Sequence, residues 1–217
     1  MMQMKSLRRL LAAAIWVTLG ASAAWASGLD SLDAFVKNVK SGRASFTQTV
    51  TAPGKDGQVV RPKVSTGSFE FARPNRFKFI YKKPFEQSIV ADGQTLWLYD
   101  VDLAQVTARK QAAALGSTPA ALIAATPDLK ALQAEYELSD APSADGQDWL
   151  KATPLSKEGS LQSVRVGFKG GVLATLEILD SFGQRSVLQF SAFELNAALD
   201  ASAFAFKPPP GVDVVRQ

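Results

Sequence analysis

Ser68-Phe69-Glu70-Phe71 and Arg76-Phe77-Lys78-Phe79 set an aromatic ring on every second residue, with charged or small polar side chains between. A helix would scatter such a pattern around its axis, whereas an extended strand sends all four rings to one side. One face of a sheet must therefore meet something apolar while the other meets water. Ala44 and Phe46 begin the same beat, running toward Val50. Further short strand-like runs span 87–91, 95–99, 105–108, 135–139, 148–153, 161–167, 173–179 and 185–195. Asp92-Gly93, Gly170-Gly171 and Phe182-Gly183 punctuate them with turn chemistry. Close spacing and tight turns predict an antiparallel meander of about eleven strands, too many to stay flat, so the sheet should coil into a barrel or a partial one.

Two helical stretches interrupt this β pattern. Leu29, Leu32, Phe35, Val36 and Val39 recur at helical spacing with Asp33, Lys37 and Lys40 between them, predicting an amphipathic N-terminal helix ended by Gly42. Midway, an alanine-rich stretch over 111–116 is followed by Ser117-Thr118-Pro119, a hydroxyl cap with proline at the first turn. Residues 120–125 are apolar on every side, and Thr126-Pro127-Asp128 starts another short helix holding Leu129 and Leu132. Two physical roles are open to these helices. They lie over the mouth of the curled sheet as a lid, or they plug it as ordinary core.

The first 26 residues read as an export signal: Lys5, Arg8 and Arg9 precede an apolar stretch from Leu10 to Gly20, and Ala24-Trp25-Ala26 offers small residues for cleavage after Ala26. That stretch is shorter than the roughly 20 apolar residues a bilayer span needs. Removing 26 of the 217 residues leaves 191, expected to form a single domain over 27–217. Three of the 24 basic residues and none of the 20 acids fall in the signal, so the mature chain carries 21 against 20, which gives no push toward nucleic acid. No cysteine is present, so disulfides and N-terminal lipidation of the chain itself are excluded, and stability must come from burial.

The chain also lacks histidine. The usual serine–histidine–acid arrangement is therefore absent, and metal or haem sites lose their commonest ligands, so neither cofactor nor metal is expected. Gly54-Lys55 lacks the spacing of a phosphate loop. Asp92, Asp100 and Asp102 are the nearest thing to a carboxylate pair for acid–base work, but aspartate beside turns commonly serves local hydrogen bonding. No catalytic residue is assigned, and an enzyme is not expected.

More specific than composition is an ordered set of short motifs. Ala44-Ser45-Phe46-Thr47-Gln48 comes first, followed by Arg73-Pro74-Asn75-Arg76-Phe77-Lys78-Phe79 and Pro84-Phe85-Glu86-Gln87. Asp92-Gly93-Gln94-Thr95-Leu96-Trp97-Leu98-Tyr99-Asp100 and Gln105-Val106 follow, and Phe204-Ala205-Phe206-Lys207-Pro208-Pro209-Pro210-Gly211-Val212 closes the set. In this order they resemble the outer-membrane lipoprotein carrier (LolA) family. Ser117-Thr118-Pro119 with Leu122-Ile123 is similar to that family's helical insertion. The resemblance implies an incomplete antiparallel barrel, mostly β with a helical lid, over an apolar cavity that takes acyl chains. It also implies a monomeric periplasmic chaperone for lipoprotein localisation. Such a carrier receives lipoproteins from an ATP-driven extraction complex of the inner membrane and delivers them to an outer-membrane lipoprotein acceptor.

Phe46, Phe69, Phe77, Phe79, Leu96, Leu98, Leu122 and Ile123 are the candidate cavity lining, with plain core packing as the competing role for each. Trp97 and Tyr99 would stand in the cavity wall or at its rim. By the resemblance, Arg73 is the lid latch: a planar guanidinium satisfies several helix-end carbonyls while staying charged. Arg61, Lys63, Arg76, Lys78, Lys82 and Lys83 form a basic neighbourhood that either steers partner docking or discourages unwanted strand pairing. Two departures bear on function. Phe79 stands where many members carry tryptophan, and the chain stops soon after Gly211, where some members extend. A lipid-binding envelope sensor and, further off, a carboxylate-dependent hydrolase are the alternative functions.

Overall fold

The computed structural model describes residues 27–54, 60–112, 128–157 and 159–217. The expected export signal, the helix start at Ser117-Thr118-Pro119, and Leu122 and Ile123 lie outside the described residues. So do Thr126 and Pro127.

Strands β1 (Ser41–Thr51), β2 (Lys63–Ala72), β3 (Arg76–Lys83), β4 (Gln87–Ala91), β5 (Thr95–Asp100) and β6 (Gln105–Lys110) form the first half of the sheet. β7 (Tyr136–Ala144), β8 (Gln147–Pro154), β9 (Leu161–Lys169), β10 (Val172–Asp180) and β11 (Arg185–Leu195) form the second. All eleven overlap the strand-like runs of the sequence, and β1 to β3 carry the alternation that a half-buried strand imposes. A twelfth strand, β12 (Asp213–Arg216), has no such pattern and is an addition to the expected set. The order across the sheet is β12-β6-β5-β4-β3-β2-β1-β11-β10-β9-β8-β7, so the two halves meet where β1 pairs with β11. Every pairing is antiparallel except that of β12 with β6. β7 and β12 are unpaired with each other, which leaves the sheet an open, curled trough rather than a closed barrel.

The helix α1 (Gly28–Asn38) lies inside the curl. Ser27 Oγ accepts from Asp30 N at 3.1 Å and so caps the first turn. Leu32, Phe35 and Val36 are buried, and the Phe35 ring lies 6.1 Å from Phe71 and 5.6 Å from Phe168. The helix is seated closely: a Cβ added at Gly28 would stand 2.2 Å from the Trp149 carbonyl oxygen of β8. Gly42 does not end it. Val39 is the cap, and Gly42 sits within β1, where a Cβ would meet the Phe71 and Phe193 rings at 2.6 and 2.8 Å. A second helix, α2 (Leu129–Glu135), is capped by Asp128, whose Oδ1 accepts from Ala131 N at 2.8 Å, and it buries Leu132.

A smaller apolar layer covers the convex back of the sheet. The chain after β11 crosses behind β3 to β6, burying Phe204 with Val90, Val106 and Ala108. Phe206 packs 5.4 Å from Trp97 and 6.2 Å from Tyr99. Lys78 Nζ holds this crossing by donating to the Ala203 carbonyl at 2.9 Å. Trp97 and Tyr99 thus face away from the trough, correcting their expected place in its wall or rim. Leu96 and Leu98 alternate with them onto the inner face.

Candidate functional site

Strand register arranges the inner face in rungs two residues apart, or roughly 7 Å. The deepest rung, beside α1, runs Gly42, Phe71, Phe77, Ala91, Leu96 across β1 to β5. The next runs Ala44, Phe69, Phe79, Ile89, Leu98. Then come Phe46, Gly67, Tyr81, Gln87, Asp100, and beyond them Gln48 opposite Ser65. Polarity therefore rises along the trough, from all apolar at the helix end to mostly polar at the other.

Four expected lining residues, Phe46, Phe69, Phe77 and Phe79, are brought together and buried. Phe69 and Phe79 approach to 4.5 Å between centroids, Phe46 and Phe79 to 5.6 Å, and Phe77 and Phe79 to 6.2 Å, mostly tilted or edge-on as aromatic quadrupoles prefer. Here they pack against one another. Leu96 is half-buried against them, while Leu98, at 36 % exposure, stands at the trough's edge. Among the described residues, a cleft of about 580 Å³ lies past the phenylalanines, lined by Gln48, Ser65, Tyr81, Gln87 and Asp100, with Pro84, Phe85, Asp102 and Leu103 from the adjoining loops. Sequence reasoning assigns none of these polar members to the cavity, although Tyr81 falls on the same beat two residues past Phe79. Burial pushes the Tyr81 phenol up to about 12, so it remains a hydroxyl at neutral pH.

Arg73 sits at the closed end, where Arg73-Pro74 turns β2 into β3. Its Nε donates to the Val39 carbonyl at 2.9 Å, at the exit of α1, and its backbone N–H donates to Lys40 O at 2.8 Å. The guanidinium lies 5.3 Å from the Phe71 ring centroid and 5.8 Å from that of Phe35. Burial lowers its pKa to about 10, which leaves it cationic at neutral pH.

Of the three carboxylates weighed for catalysis, Asp92 and Asp100 are engaged in turns. Asp92 Oδ1 accepts from Gln94 N at 2.8 Å and Thr95 N at 2.7 Å, and Oδ2 accepts from the Trp97 indole at 2.9 Å. Asp100 Oδ1 accepts from Leu103 N at 3.0 Å. The basic neighbourhood divides. Arg76 faces the Phe204 ring, and Lys78 bonds Glu70 at 2.7 Å on the convex face, whereas Lys63, Lys82 and Lys83 stand exposed at the cleft end of β2 and β3, with Arg61 exposed just ahead of β2.

Two carboxyls on or beside the back of the sheet set an acid limit. Burial opposes ionisation of Glu70, but bonds and charge from Lys78 and Arg43 outweigh it and hold its pKa down. Burial likewise opposes ionisation of Asp92, but donors at Thr95, Trp97 and Gln94 win. Groups with depressed folded pKa values stabilise above their unfolded values, 4.5 and 3.8 here, and lose that contribution as pH falls through the folded ones. Melting temperature should therefore hold from pH 7 to about pH 5 on their account and drop below about pH 4. In Glu70→Gln the drop should be shallower, and an unchanged acid slope would remove Glu70 from the cause.

Comparison with known proteins adds a family to this geometry. Residues 37–207 match the family described as outer membrane lipoprotein carrier protein LolA. A protein of Albidiferax ferrireducens named outer-membrane lipoprotein carrier protein is 67% identical over 209 residues, covering 94% of this chain and 98% of that one. One of the same name from Methylibium petroleiphilum is 53% identical over 206 residues, covering 94% and 98%. Among solved structures, an uncharacterised conserved protein of Thermus thermophilus shares the fold with a TM-score of 0.54 at 13% identity, covering 87% of this chain and 98% of that one.

Proposed function

The chain belongs to the LolA family of outer-membrane lipoprotein carriers, and from that premise we propose that it ferries lipoproteins between the inner and outer membranes with their acyl chains in the trough. Loading from an ATP-driven inner-membrane extraction complex and unloading to an outer-membrane acceptor lipoprotein complete the proposal. So does residence in the periplasm after cleavage following Ala26, with 27–217 as the carrier domain. The observation that carries it is the inner face itself: two apolar rungs rich in phenylalanine, open toward a cleft and lying in a chain of this family.

An acyl chain of about 15 methylenes gains roughly 12 kcal/mol on leaving water, at about 0.8 kcal/mol per group. A carrier must recover most of that, yet hold less tightly than a bilayer or it never unloads. Rings that pack against one another meet this need, because lipid entry must part them and so surrenders some contact energy. Mass spectrometry of protein purified gently from the periplasm tests the reading. Co-purified lipoproteins are expected, and a protein free of any acylated species that also ignores acyl probes would end it.

Arg73 is our candidate latch between trough and cover. Its bond to Val39 and its seat over Phe71 place a fixed cation at the trough's closed end. Arg73→Leu keeps the apolar bulk, so the variant should fold and accept lipoprotein but pass it on about tenfold more slowly, equivalent to about 1.4 kcal/mol. Transfer at the wild-type rate in a reconstituted assay removes the latch.

A further inference from the structure

The trough changes polarity within two rungs, and an amphiphile lying along it would meet that change at a fixed depth. Tails against Phe69 and Phe79 put whatever joins them at the level of Tyr81, Gln87 and Asp100, where the cleft opens. The charge there is one-sided. The cleft offers carboxylates at Asp100 and Asp102, side-chain amides at Gln48 and Gln87, and hydroxyls at Ser65 and Tyr81, but among the described residues no lining side chain carries positive charge. Lys82 and Lys83 precede Pro84 on the same rim without entering the lining.

We infer that this cleft is a head-group site, selecting acylated peptides by their N–H donors and rejecting lipids whose head is an anionic phosphate. The inference deepens the carrier reading and rests on it. A peptide backbone next to an acylated residue presents amide N–H groups, which two carboxylates and two amide oxygens can accept. A phosphodiester presents acceptors alone, and at this depth it would face two like charges in a partly enclosed space with no lining cation among the described residues to compensate them. Selection of cargo over bulk phospholipid then lies in the polar third of the trough, since the phenylalanine rungs treat all saturated tails alike.

A displacement assay on the full chain tests this with a fluorescent fatty-acyl probe and two competitors of equal tail length. One competitor is a dipalmitoylated peptide with an uncharged serine-rich head, and the other is dipalmitoyl phosphatidylglycerol. For wild type the lipopeptide should displace the probe at about tenfold lower concentration. In Asp100→Asn/Asp102→Asn the phospholipid should gain until the gap is about threefold or less. An asparagine oxygen can still accept from Leu103 N, so the β5–β6 turn is retained. Equal potency of the two lipids on wild type, or an unchanged gap in the double variant, overturns the inference. Failure of the probe itself to bind wild type overturns the carrier reading beneath it.

Discussion

Phe69→Ala should lower the free energy of unfolding by about 3–5 kcal/mol, the range for removing a fully buried phenylalanine. Its side chain is 0% exposed and touches three rings: Phe79 at 4.5 Å, Phe71 at 5.7 Å and Phe190 at 5.5 Å between centroids. Neighbours anchored on strands cannot close over the gap, so the lost transfer energy and the cavity both count. Urea denaturation gives the number, with Leu155→Ala, at an exposed loop position, expected within about 0.5 kcal/mol of wild type. The result also decides a role. A cost below about 1 kcal/mol would mean that the rings do not pack against one another without lipid, and Phe69 would then be open lining rather than core that parts for cargo.

Gly67→Ala should cost about 1–3 kcal/mol despite adding a single methyl group. The cause is space. A Cβ there would stand 2.1 Å from the Ile80 carbonyl oxygen and 2.7 Å from the Phe46 ring. Phe46 lies over the glycine directly opposite it on β1, and Tyr81 faces Gly67 from β3, with the Phe46 and Tyr81 rings 5.0 Å apart. The ring can rotate away but the Ile80 carbonyl is part of the β2–β3 ladder. Combining Gly67→Ala with Phe46→Leu should therefore recover little, leaving the two losses close to additive. A clear rescue would shift the cause from backbone to ring. Since this rung separates the apolar rungs from the cleft, the variant should also weaken acyl-probe binding.

The alternation that reveals strands also reveals which side chains share a face, so Phe46, Phe69, Phe77 and Phe79 group together from the sequence alone. Leu98 joins them correctly by parity, but parity is silent on how far a residue lies from the middle of the sheet, and Leu98 falls at the edge. Trp97 and Tyr99 are harder. An outward face normally meets water, and here the chain around Phe204 and Phe206, more than a hundred residues later, covers that face with apolar side chains. β12 escapes for a related reason: Asp213-Val214-Val215-Arg216 lacks alternation and takes its order from parallel pairing with β6. Gly42 suggests a helix stop because glycine often is one, whereas here it makes room for Phe71 and Phe193. The cleft is invisible in the sequence because Gln48, Ser65, Gln87 and Asp100 lie far apart along the chain and only register aligns them.

The seam between β1 and β11 has a consequence for the chain's history. The first strand to be synthesised ends up mid-sheet, with Phe46 waiting for Phe190, so half of its ladder stays vacant until nearly all the other strands have been made. Contacts spanning most of the polypeptide make for sluggish folding, on the order of milliseconds to seconds for β topologies of this kind. Under the export proposed above that delay is an advantage, because a threadlike chain passes a translocation pore and a finished trough does not.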